Sequence, residues 1–156
     1  MNARLCMAAA AAALGGFAAG WTVSPGSHPP MVAQVGAHVA PELEGILGSA
    51  ATGTEVVYGG DRVRLIATVK TEDGTLCREF ELDALSTGQT TAGIACRDQN
   101  HWRLDIAVAA AAAESGFAPA SSLTALDSYL SAIGASEPLS PEEEFSILLS
   151  RTATTG

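Results

Sequence analysis

The chain has 156 residues, with 17 acidic against 8 basic side chains and a formal charge of −9. Set against an N-terminal apolar stretch that no soluble core absorbs, that length leaves room for one globular domain of roughly 100 to 130 residues. The charge excludes nucleic acid and an anionic lipid surface as the main partner, since both require clustered Lys and Arg, and the basic residues here are scattered.

Met1-Asn2-Ala3-Arg4 carries one positive charge and is followed by nineteen uncharged residues, Leu5 to Val23. This reads as an export or insertion segment. Two readings stand for 1–23. It is a transmembrane anchor, with Leu5 opening the span, Trp21 as the interfacial aromatic and Gly16 and Gly20 as a small-xxx-small face, or it is a signal peptide cut after Gly20. Arg4 on the short side, with no Lys or Arg for almost forty residues beyond Val23, places the N-terminus in the cytoplasm and the domain outside. In a bacterium the domain then lies in the periplasm, held at the inner membrane if the segment is uncleaved and free or secreted if it is cut. That compartment is oxidising, and of the three cysteines Cys6 lies in the apolar stretch, so the expected disulfide joins Cys77 and Cys96.

Residues 24–53 read as a Pro/Gly-rich spacer followed by a short helical segment around Pro41 to Leu47. His28 and His38 are ten residues apart with no further ligand at metal spacing, and are expected to be exposed loop histidines. The domain proper is expected over 54–156. Glu55 to Tyr58 is a short strand. Arg62 to Lys70 alternates, placing Val63, Leu65, Ala67 and Val69 together on one face. Asp73-Gly74 marks a hairpin, and Leu76 to Leu82 returns with Leu76, Arg78, Phe80 and Leu82 on one face and Cys77, Glu79 and Glu81 on the other. Thr90 to Arg97 and Trp102 to Val108 continue the meander, with Trp102, Leu104, Ile106 and Val108 predicted to share a face. The basic residues of these strands, Arg78 and Arg97 included, are read as solvated sheet charges.

Two helices end the chain. The first carries Leu123, Leu126, Leu130 and Ile133 at helical spacing up to Gly134, with Ser121 or Ser122 as its cap. The second begins at Ser140-Pro141-Glu142-Glu143, a capping box with Pro at the first position. Phe145, Ile147, Leu148 and Leu149 are expected to form its buried side, and Glu142-Glu143-Glu144 to be acids attracted by the helix N-terminus. The expected fold class is therefore α+β: an N-terminal transmembrane or signal helix, then a four- to five-stranded antiparallel meander with two C-terminal helices packed on it.

Nothing in the sequence has the spacing of a nucleophilic triad, a phosphate loop, a metal cluster or paired carboxylates. The reading is of a non-enzyme without cofactor or metal, whose partner is a protein in the membrane or periplasm. Leu76-Cys77-Arg78-Glu79-Phe80, Ala95-Cys96-Arg97 and Trp102 resemble the surface-antigen-type domain of envelope proteins. The stretch from about Thr54 through Ala118-Pro119-Ala120, Leu126-Asp127, Ile133-Gly134-Ala135 and Pro138-Leu139-Ser140 is similar to the extracytoplasmic half of single-span anti-sigma factors of alphaproteobacteria. The resemblance implies a periplasmic sensory or interaction domain. It departs from that family in having only Met1 to Arg4 for a cytoplasmic part, which cannot hold a sigma factor. The alternatives are a single-span accessory subunit of a respiratory or photosynthetic membrane complex and a secreted envelope protein. Recognition is expected on the sheet face or the loop from Asp83 to Gln89.

Overall fold

A computed structural model describes residues 34–110 and 120–152. The expected anchor or signal segment, with Leu5, Gly16, Gly20 and Trp21, lies outside those residues, as does His28. No helix among the described residues is long and apolar enough to cross a membrane.

In chain order the elements are helix α1 (Pro41–Ser49), strands β1 (Glu55–Tyr58), β2 (Asp61–Lys70), β3 (Leu76–Ala84), β4 (Gln89–Asp98) and β5 (His101–Ala110), then helices α2 (Ala120–Ala132) and α3 (Pro141–Thr152). The strands form one antiparallel meander in the order β1-β2-β3-β4-β5. The class is α+β, and of the three helices among the described residues two lie at the C-terminal end. Local chemistry explains most boundaries. Gly74, at φ 82°, turns the β2–β3 hairpin where Asp-Gly predicted it, and its amide donates to the Thr71 carbonyl. Past the end of α2, Gly134 at φ 62° closes a Schellman pair, with Ala135 N–H on the Leu130 carbonyl and Gly134 N–H on that of Ser131. α2 is described from Ala120, which puts the expected caps Ser121 and Ser122 within its first turn. Ser140 and Glu143 exchange hydrogen bonds as the capping box at the start of α3.

Two bulges correct the predicted faces. In β2 the register with β3 slips between Leu65 and Ala67, leaving Ile66 as an extra residue; in β5 the register with β4 slips at Asp105, between Leu104 and Ile106. A slip of one residue sends every later side chain to the opposite face. Val63 and Leu65 therefore join Leu76, Phe80, Leu82, Trp102 and Leu104 in one core, whereas Val69 joins Cys77, Ile94, Cys96 and Leu126 in another, with Ile106 and Val108 packed on it. The sheet is consequently covered on both faces. α1 contributes Leu43 and Leu47 to the first core, both fully buried, and Leu139 and Ile147 pack there too. α2 contributes Leu126, with Tyr129 and Leu130, to the second, and Ile133 just past its end packs there too.

The residues before α1 cover part of the free edge of β5. Gly36 N–H donates to Leu104 O, Leu104 N–H to Ala37 O and Val39 N–H to Trp102 O, which blocks that stretch against strand addition.

Candidate functional site

The face that Arg78 shares with Leu76, Phe80 and Leu82 is a buried core with a cation at its centre. Arg78 is fully buried, contrary to its reading as a solvated sheet charge, and all three of its guanidinium nitrogens are engaged. Nε donates to Thr68 Oγ1 (3.0 Å), Nη1 to the Leu47 carbonyl (2.6 Å) and Nη2 to Glu144 Oε1 (2.8 Å). Glu144 comes from the first turn of α3 and is 4 % exposed. It also accepts from the Thr68 hydroxyl, from the Thr52 hydroxyl (2.7 Å) and, on Oε2, from the Thr52 amide (2.9 Å). One carboxylate thus ties α3 to β2, β3 and the loop after α1. Burial pushes the Glu144 carboxyl up, but the bonds from Thr68 and Thr52 and the Arg78 charge outweigh it and hold it below the ordinary carboxylate value. Burial draws the Arg78 guanidinium down from its usual value, against the opposing charge of Glu144.

Glu144 sets the rotation of α3. With 144 and 148 turned inward, 145 and 149 lie about 100° further round the helix and face outward. Leu148 is buried as predicted, but Phe145 is 63 % and Leu149 52 % exposed, which corrects their assignment to the buried side. The two side chains overhang a cleft of about 640 Å³ between α3 and the loop after α1. Leu139 and Leu148 supply further apolar wall, buried Glu144 the polar floor, and the exposed Ser49, Thr52 and Glu142 the rim. Of the three acids predicted to serve the helix N-terminus, Glu143 does so, Glu142 stands exposed at the cleft and Glu144 is interior.

Cys77 and Cys96 stand directly opposite each other in the β3–β4 register, with sulfurs 2.09 Å apart, the separation of a disulfide. Both are buried under α2 in the second core. A smaller hollow of about 440 Å³ lies beside them, where Tyr129 donates to Asp105 (2.9 Å) and Arg103 Nε to the same carboxylate (2.7 Å). Asp105 is the bulge residue of β5, so the slip that splits the cores also aims this carboxylate at α2. Arg97 is half-buried, its guanidinium carbon 5.2 Å from the Trp102 ring centroid.

The predicted recognition surface has a different character. Over the β1–β3 end the sheet face is a lattice of ion pairs: Arg62 with Glu55 and Asp83, and Arg64 with Glu55 and Glu81. In the loop beyond, Leu85 is half exposed. His38 does lie at the surface, and it stacks on His101 with ring centroids 5.0 Å apart. No group of three or more His, Cys, Asp and Glu placed to hold a metal ion occurs among the described residues.

The cleft and its buried pair are the features that sequence reading missed, although a signal was present. An arginine flanked at i±2 by Leu76 and Phe80 must be buried with them, and a buried guanidinium demands a carboxylate. Glu144, spaced i, i+3 and i, i+4 from Ile147 and Leu148, is the acid that shares the inner stripe of a helix. Comparison of the chain with protein-family models, with curated proteins and with solved structures found no match.

Proposed function

We propose that this chain is a non-catalytic sensory or interaction domain, anchored in the bacterial inner membrane by residues 5–23 and exposed to the periplasm, of the kind its resemblance to anti-sigma-factor extracytoplasmic regions implies. The observation that carries the recognition half of this reading is the cleft: two large apolar side chains, Phe145 and Leu149, exposed on a helix that is otherwise well fixed. Phe145 and Leu149 are one turn apart, and an apolar patch of this kind on a charged protein marks a place where something binds. The opposed cysteines support an oxidising compartment.

The test is purification of the full chain, tagged at the C-terminus, from the membranes of its native cells, followed by native mass spectrometry and analysis of what comes with it. A bound partner or small molecule is expected in the wild-type preparation and is lost in Phe145→Asp. Wild-type protein that carries nothing beyond its own mass, or a cargo that Phe145→Asp retains, refutes the assignment of the cleft. Stoichiometric recovery of a respiratory or photosynthetic complex that Phe145→Asp leaves intact favours instead an accessory subunit held through residues 5–23.

A further inference from the structure

We infer that the cleft under α3 takes a small ligand with an apolar body and a primary ammonium head, an alkylammonium in chemical class. The inference rests on the reading of the cleft as a recognition site and adds the chemistry of what it recognises. A volume of about 640 Å³ falls within the range of small-molecule sites, about 300–1,000 Å³. The walls from Leu139, Phe145, Leu148 and Leu149 suit a hydrocarbon chain.

Hydrogen bonding then selects the head group. Among the described residues, the two side-chain hydroxyls lining the cleft have already used their protons, Ser49 on the Gly45 carbonyl (2.8 Å) and Thr52 on Glu144 (2.7 Å), and the Thr52 amide is engaged by Glu144 as well. The side chains therefore offer a ligand acceptors only: the Ser49 oxygen, the Glu142 carboxylate at the rim and the Glu144 carboxylate on the floor. A ligand that brings a carboxylate or phosphate finds no side-chain donor. Among the described residues no Lys, Arg or His lines the cleft, and Arg78, which neutralises Glu144, is fully buried, so such a ligand meets no cation there either. The N-terminus of α3 does not change this. Ser140 and Glu143 form its capping box and the Glu142 carboxylate stands beside it, so negative charge already faces its positive end. The exposed negative charge at the rim is Glu142. An ammonium brings three donors and a positive charge to a rim that lacks both.

The test titrates the full chain in nanodiscs, methyl-labelled at leucine, with n-hexylammonium, 1-hexanol and hexanoate, three probes of one length that differ in the head. The methyl signals of Leu139, Leu148 and Leu149 are expected to shift saturably with hexylammonium and more weakly with hexanol. Hexanoate is expected to bind about three- to fivefold more weakly than hexylammonium, the scale of one exposed ion pair. Glu142→Gln, an exposed change that leaves the fold intact, should erase that preference while hexanol binding stays unchanged, and added salt should narrow it in the wild type. Hexanoate binding as well as hexylammonium, a preference that survives Glu142→Gln, or no saturable shift with any probe overturns the inference. So does a second copy seated in the cleft, which appears as a sedimenting dimer whose cleft signals ignore all three probes. Failure of the ammonium preference alone overturns the ligand class and leaves the recognition reading standing, whereas the absence of any saturable shift, together with a cargo retained by Phe145→Asp, overturns both.

Discussion

Replacing Glu144 by alanine should be the most destabilising single change in the described part of the fold. The substitution leaves the Arg78 guanidinium fully buried without its carboxylate, and it strands the Thr68 and Thr52 hydroxyls and the Thr52 amide, which all donate to Glu144. Removing one partner of a buried, hydrogen-bonded pair costs about 3–5 kcal/mol, because the other charge stays desolvated. Against a total stability of about 5–15 kcal/mol this is a large fraction. At about 4–8 °C per kcal/mol for a domain of this size, the melting temperature should fall by more than roughly 12 °C. Chemical and thermal unfolding of the full chain, followed by circular dichroism, measure both quantities. The paired replacement Arg78→Met with Glu144→Leu should recover most of the loss, since a hydrophobic pair of similar volume removes both desolvated charges together. The pH dependence carries a sign as well. The Glu144 carboxyl is held below its ordinary value, so its contribution is complete above the ordinary carboxylate range and is lost as pH falls through the lower folded value. Glu144→Gln should flatten that acid limb. A Glu144→Ala protein within about 1 kcal/mol of wild type would refute the buried network, since it falls below the cost of even one unsatisfied buried group.

Three further outcomes follow from other parts of the molecule. Under denaturing, non-reducing conditions, protein from native cells should show Cys77 and Cys96 unreactive to thiol reagents, and the Cys77→Ser, Cys96→Ser protein should lose about 3 kcal/mol, the chain-entropy value for a loop of about 20 residues; two reactive thiols at these positions would show that the bridge does not form. The Tyr129 phenol, pushed up to about 12 by burial and by its bond to Asp105, should ionise only near that pH in an absorbance titration, and Tyr129→Phe should abolish the late step at a cost of about 1 kcal/mol. Glu79 is raised above the ordinary carboxylate value by burial and then by the charges of Asp127 and Glu81, so its ionised form opposes folding. Glu79→Gln should be the more stable protein at neutral pH, with the difference closing as pH falls below the carboxylate range; a Gln variant less stable than wild type at neutral pH would contradict this.

The strands, the hairpin at Asp73-Gly74 and the cap at Ser140 were legible because each is set by local chemistry: alternation, a residue that tolerates positive φ, a hydroxyl three residues before a glutamate. Which face each strand presents was legible only up to the bulges at Ile66 and Asp105. Neither position has a glycine or any other residue that announces a bulge, and the slip shows only in the pairing with the neighbouring strand. The Cys77–Cys96 pairing needed only elimination of Cys6 and two adjacent strands. The core pair was hidden for the opposite reason. Arg78 and Glu144 are 66 residues apart, and each has a satisfactory local explanation, as a strand charge and as a helix N-terminal acid. Only the packing of α3 on the sheet makes them partners, and the same packing turns Phe145 and Leu149 outward to open the cleft.

We propose that residues 5–23 hold this domain at the inner membrane, on its periplasmic side. N-terminal sequencing of the mature chain recovered from its native cells decides whether that segment is retained. A chain beginning at Met1 or Asn2 and found in the membrane fraction is the predicted result; a chain beginning at Trp21 and found in the soluble periplasmic or secreted fraction would contradict it.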